Sequence, residues 1–146
     1  MDKLIEALKR VLADTFAFRL KAQYYHWNVE GADFVQYHDF FGKLYTAADA
    51  DIDMIAEHIR ALGAYSPGSF GRFSALTSIQ DEDTIPSAVE MINRLGQDNV
   101  KLHTGLMSAH ALADELGQRG VVNFIEGLID ANEKTQWMLN SITKRS

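Results

Sequence analysis

Residues 26–63 read HWNVEGADFVQYHDFFGKLYTAADADIDMIAEHIRALG, and this stretch decides the fold. From Tyr37 its apolar residues recur at steps of three or four: Phe41, Leu44, Ala48, Ile52, Ile55, Ile59 and Leu62. That is the period of an amphipathic helix, with one stripe turned to a core. Gly63 stops it. Asp33 followed by Gln36 reads as a capping box that opens it. Upstream, Leu4, Leu8, Val11, Thr15, Phe18, Ala22 and Tyr25 keep the same spacing. This first helix is predicted to end near Asn28–Gly31, with Gly31 as a left-handed cap.

Downstream, residues 64–83 are rich in Gly, Ser and Pro and read as a long connection, with SFGRFSALTSI forming one short helix inside it. A third long helix starts near Pro86, capped by Thr84 or Ser87. Its stripe is Val89, Ile92, Leu95, Asn99, Leu102, Leu106, Ala109 and Ala113, and it runs to about Leu116. GQRG breaks it. A fourth covers about Val121 to Ile142 through Phe124, Leu128, Ala131, Thr135 and Met138. No segment alternates like a strand. The expectation is an all-α protein, a four-helix bundle with one long crossover carrying a short helix, and a single domain over 1–146.

The chain has 146 residues, no cysteine and a net charge of −6. Disulfides, thiolate zinc sites and iron–sulfur clusters are excluded. Attraction of the whole body to nucleic acid or anionic membrane is not expected. No apolar run reaches the ~18 residues of a membrane span, and the amphipathic start MDKLIEALKR does not resemble a signal peptide. A cytoplasmic protein is expected.

Four residues carry the chemistry: His26, His38, Asp53 and Glu57. Imidazole and carboxylate donors together suit a first-row divalent metal, iron above all where oxidation is involved. Taken singly, each is ordinary. A carboxylate pair four apart usually marks a solvated helix face, here with Asp49 and Asp51 beside it. A lone histidine is usually a packed residue. Their spacing is more informative. His26 and His38 fall at the same end of an antiparallel helix pair. From His38 to Asp53 the chain advances fifteen residues, about 22 Å along a helix at ~1.5 Å per residue. Metal–ligand bonds are only ~2.0–2.2 Å long. One chain therefore cannot bring both halves to one ion. A two-fold axis crossing the second helix near its middle could place His38 of one chain by Asp53 and Glu57 of another. The alternative, a di-iron site inside one bundle, needs inward Glu-x-x-His pairs, and this chain has none.

These residues resemble a known family. The segment 26–63, together with NEKTQWML at 132–139, is similar to Dps-type miniferritins (DNA protection during starvation), over nearly the whole chain. The resemblance implies a ferritin-like four-helix bundle and a homo-oligomeric, dodecameric shell built from two-fold dimers. It implies Fe(II) oxidation, preferably by hydrogen peroxide, at sites made of His26 and His38 from one subunit and Asp53 and Glu57 from the other. Iron is the implied metal, with zinc or manganese as substitutes. Tyr25 and Trp27 stand where they could quench a stray oxidising equivalent, although core packing is the favoured reading for both.

The chain also departs from the family. Where an acidic ligand commonly follows the second histidine by four residues, this chain has Gly42, which leaves one ligand oxygen fewer. Asp39 is no substitute, being about 100° round the helix from His38. The family's Ala-Glu-Arg triplet reads Ala56-Glu57-His58, and His58 is expected to face solvent. At the implied iron-entry pore Asp114 fits, but Arg119 and Asn123 replace acids. The basic DNA-binding tail is not matched by the terminal TKRS, and strong DNA binding is not expected. His103, Met107, His110 and Asp114 share a face of the third long helix. A secondary metal path is one reading of them, and polar surface is the favoured one. Two other functions stay open: a cage with weakened or lost ferroxidase activity, and a di-metal enzyme acting on an organic substrate.

Overall fold

A computed structural model of the chain describes residues 1–144; Arg145 and Ser146, the end of the TKRS segment, lie outside the described residues. It contains α1 (Asp2–Asn28), α2 (Phe34–Ala61), α3 (Phe70–Leu76), α4 (Ala88–Glu115) and α5 (Arg119–Thr143), and no strand among the described residues. The expected bundle is present, and α3 is the short helix in the crossover.

All seven predicted stripe residues of α1 are buried. So are Ala7, Leu12, Ala13 and Asp14, because α1 packs against α2, α4 and α3. Two apolar clusters fill the bundle. Leu4, Leu8 and Leu12 meet Ile55 and Ile59 in one, and Phe18, Ala22 and Tyr25 meet Phe41, Leu44 and Ala48 in the other. That order makes α1 and α2 antiparallel. Each fully buried large side chain contributes roughly 1.5–3 kcal/mol.

Helix ends follow local chemistry, with two corrections. Val29, extended and bonded through its N–H to the Tyr25 carbonyl, ends α1, so Gly31 is not the cap. The capping box does not form either. Asp33 is the N-cap of α2, but at φ −102°, ψ 29° its side chain caps nothing. The Phe34 N–H instead bonds the Gly31 carbonyl at 3.1 Å, so a backbone turn does the work. Gly63, at φ +94°, ends α2 in a conformation that side chains disfavour. Of the two candidate caps for α4 the structure uses Ser87, whose hydroxyl accepts from the Glu90 N–H at 3.2 Å.

α5 begins at Arg119 and is rotated from expectation. Its buried row is Val121, Ile125, Asn132 and Leu139, and Ala131 is exposed. The cause is a buried amide pair. Asn132 donates to Asn99 Oδ1 at 2.9 Å, and Asn99 donates to the Asn132 carbonyl at 3.1 Å. Asparagine is invisible to an apolar-periodicity reading, so the stripe is read one residue early.

The crossover is strapped to the bundle. Asp14 accepts from the Thr77 hydroxyl and the Ser78 N–H, both at 2.7 Å. Lys21 pairs with buried Asp98 at 2.9 Å and donates to the Gln80 carbonyl. Tyr24 donates to the Thr84 carbonyl at 2.8 Å. Tyr25 donates to Glu82 at 2.8 Å, and Arg94 holds the same carboxylate. These bonds tie the second half of α1 to the crossover.

Candidate metal centre

His26 closes α1 and His38 lies in the second turn of α2, so the hairpin brings them together. Their rings stack with centroids 3.8 Å apart at 16°. Nδ1 of His26 bonds the backbone carbonyl of His38 at 2.6 Å, and Nδ1 of His38 bonds the carbonyl of His26 at 2.7 Å. A carbonyl only accepts, so each Nδ1 carries the proton. In neutral imidazoles this leaves both Nε2 lone pairs free, the form a metal ligand requires. The Tyr45 ring meets His26 edge-on at 5.2 Å, and Phe34 stacks on His38 at 5.0 Å. Gly42 lies in the wall of the same cleft.

The acidic half is elsewhere on α2. Asp53 and Glu57 are both exposed. No three potential donors among His, Cys, Asp and Glu gather in one place among the described residues. The structure thus brings His26 to His38 and keeps Asp53 and Glu57 apart from them. Of the neighbouring acids, Asp49 stays on the exposed face and Asp51 leaves it. Asp49 pairs with Arg19 at 3.4 Å. Asp51 lines a cavity of about 90 Å³ enclosed by α1, α2, α4 and α5, and burial pushes its carboxyl up to about 6.

Two other expectations need correction. His58 faces solvent only in part; its ring stacks on Phe124 of α5 at 4.1 Å. Trp27 does not pack in the core. It is 62 % exposed, whereas Tyr25 is fully buried. On α4, His103 pairs with Glu133 at 2.9 Å and His110 with Glu126 at 3.0 Å, both acids from α5. Met107 and Asp114 are exposed, so this face is polar surface.

The residue missed by sequence reasoning is Glu82. Burial pushes its carboxyl up, but hydrogen bonds from Tyr25, Arg94 and Thr84 outweigh that and hold it down at about 2. Burial, followed by the bond to Glu82, pushes the Tyr25 phenol well above its ordinary value. Nothing in a loop segment DEDT signals a partner 57 residues away. Only the buried-stripe position of Tyr25, a side chain whose hydroxyl needs an acceptor, pointed there.

A ferritin-like domain model matches residues 5–145. The chain belongs to the ferritin-like family. Within it, the chain is a Dps-type miniferritin. It is 30 % identical to the DNA protection during starvation protein of Brevibacillus brevis, over 92 % of this chain and 90 % of that one. It is 34 % identical to an uncharacterized low temperature-induced protein of Nostoc sp., over 94 % of this chain and 78 % of the relative. The Dps structure from Vibrio cholerae O1 superposes with a TM-score of 0.95 at 29 % identity, covering 98 % of this chain and 90 % of that one. That protein is described as a member of a broad superfamily of ferritin-like diiron-carboxylate proteins. Among the described residues of this Dps-type chain, no helix is long and apolar enough to cross a membrane.

Proposed function

We propose that this miniferritin is a cytoplasmic protein of one domain that assembles into a dodecameric shell, oxidises Fe(II) with hydrogen peroxide and stores the product. Dps relatives and diiron-carboxylate neighbours support iron storage and protection as the broad role. The observation that carries the finer reading is the histidine pair. Two Nε2 atoms stand uncommitted at one end of α2, and Asp53 and Glu57 lie exposed fifteen and nineteen residues on. A second copy, related by a two-fold axis across α2, supplies what each half lacks.

In such a site the imidazoles and the partner's carboxylates hold Fe(II), the substrate. The carboxylates favour the Fe(III) product by offsetting its added charge. Peroxide takes two electrons and each Fe(II) gives one, so two irons are consumed per peroxide and no one-electron oxygen radical is released. Zinc and manganese fit the same donors.

Rates of Fe(II) oxidation by peroxide in wild type and Asp53→Ala/Glu57→Ala test the assignment; equal rates would sink it. One observation favours a second reading. Gly42 contributes no ligand atom to the histidine cleft, which suits a cage that sequesters metal and oxidises it slowly. Assembly with metal uptake and no peroxide consumption would select that reading.

A further inference from the structure

α1 packs on α2 and α4, and α4 on α5, but the backbones of α2 and α5 scarcely approach each other. The cavity of about 90 Å³ that Asp51 lines lies at this gap. Its lining residues from α1 and α4 are all buried, whereas Ala47 of α2 and Ala131 of α5 are exposed, so it opens between α2 and α5. The polar groups inside share one character. Asp51 has no ion-pair partner among the described residues. Thr15 gives its hydroxyl proton to the Val11 carbonyl at 2.7 Å. The side-chain N–H groups of Asn99 and Asn132 are spent on each other and on Gln136. What these groups still offer is oxygen lone pairs. No lysine, arginine or histidine lines the cavity.

A space walled by acceptors and one unpaired carboxylate is complementary to a cation. Charge decides which kind. Asp51 is the single acid, and the remaining walls include Phe18, Ile55 and Leu106. A monovalent ion cancels that one charge. A divalent ion would leave a net positive charge against apolar walls, which is costly without a partner. Size agrees, since a water needs only roughly 10–15 Å³ of such room, and an ion fits with waters completing its shell. We propose that this cavity binds one monovalent metal cation, sodium or potassium, with the Asp51 carboxylate as its charged ligand and neutral oxygens drawn from Thr15, Thr135 and the Asn99–Asn132 pair. The ion bridges α2 and α5 at their gap and braces the helix that carries Asp53 and Glu57. Asp51 points about 200° round that helix from Asp53, so this site is separate from the shared one.

Thermal unfolding of the assembled protein in sodium, potassium and tetramethylammonium chloride at equal ionic strength tests the proposal. Tetramethylammonium carries the charge but offers no bare ion for oxygen to coordinate. The melting temperature rises saturably with sodium or potassium, as for any ligand of the folded state, and not with tetramethylammonium. The ion that acts at the lower concentration is the preferred one. Asp51→Asn keeps the shape, removes the charge and weakens the effect at least tenfold. Wild-type crystals grown in the preferred ion show it beside Asp51, potassium by its anomalous signal and sodium by oxygen contacts shorter than a water makes. Equal melting in all three salts overturns the proposal. So does a cation effect undiminished in Asp51→Asn, or a cavity holding water alone in those crystals. Manganese(II) density beside Asp51 after a soak would overturn the assignment of a monovalent ion.

Discussion

Nδ1 of His26 and Nδ1 of His38 are each bonded to the other residue's backbone carbonyl, at 2.6 and 2.7 Å, so each residue's backbone fixes the other's tautomer. Metal histidines generally orient their free nitrogen through such a bond to a carboxylate, carbonyl or water. Here the orienting groups are the paired histidines' own backbones. A change to alanine at either position keeps that carbonyl but removes a ligand and the ring on which its neighbour stacks, 3.8 Å away.

The first prediction follows from that coupling. His26→Ala and His38→Ala are each expected to lower the rate of Fe(II) oxidation by peroxide by at least tenfold, and the double variant is expected to lose little more than either single one. Residues that act as a unit show this non-additivity. Rates that multiply across the double variant would mean two independent ligands.

The Glu82 clamp predicts a pH dependence. Its carboxyl is held at about 2 in the folded chain, against an ordinary value near 4.5. A lowered folded-state pKa stabilises the fold above the ordinary value, and that stability is lost as pH falls from about 4.5 toward 2. The side chain is 8 % exposed, and the effect is worth roughly 3 kcal/mol. Glu82→Gln should therefore melt below wild type at pH 7, with the gap closing as pH falls through 4. Thermal unfolding followed by circular dichroism checks this. A gap that is independent of pH would mean that the charge is not what matters.

Net charge sets an expectation for nucleic acid. At −6 per chain the body of the protein is repelled by phosphate, so no retardation of duplex DNA is expected at physiological salt. Gel shift or anisotropy at 150 mM salt tests it, and a shift that disappears with rising salt would reveal a basic surface acting against the net charge.

Where sequence and structure agree, the physics is local. The α1 stripe is buried as read, because six apolar residues and Thr15 at helical steps leave one way to bury a core. Ser87 caps α4 because a hydroxyl at that position has only the orphan N–H groups to serve. Disagreements arise where long-range polar partners decide. Asn132 reaches Asn99 and turns α5, His58 finds Phe124, and Asp51 lines a cavity. The candidate site divides in the same way. A short hairpin loop made the meeting of His26 and His38 legible. Their crossed bonds involve backbone carbonyls, which residue types do not encode.

The arrangement of half-sites makes the most direct prediction. One variant, His26→Ala/His38→Ala, keeps only the acids; a second, Asp53→Ala/Glu57→Ala, keeps only the histidines. Each alone should assemble and oxidise Fe(II) poorly. Mixed, dissociated and reassembled in equal amounts, half of the two-fold dimers should be hybrids. In a hybrid one of the two sites receives all four ligands and the other none. About a quarter of wild-type activity should return, given random pairing across an isologous interface. A site contained within one chain would restore nothing on mixing, since neither variant holds a complete set. Peroxide-driven Fe(II) oxidation before and after reassembly therefore separates the shared site from the internal one, with shell formation checked by light scattering.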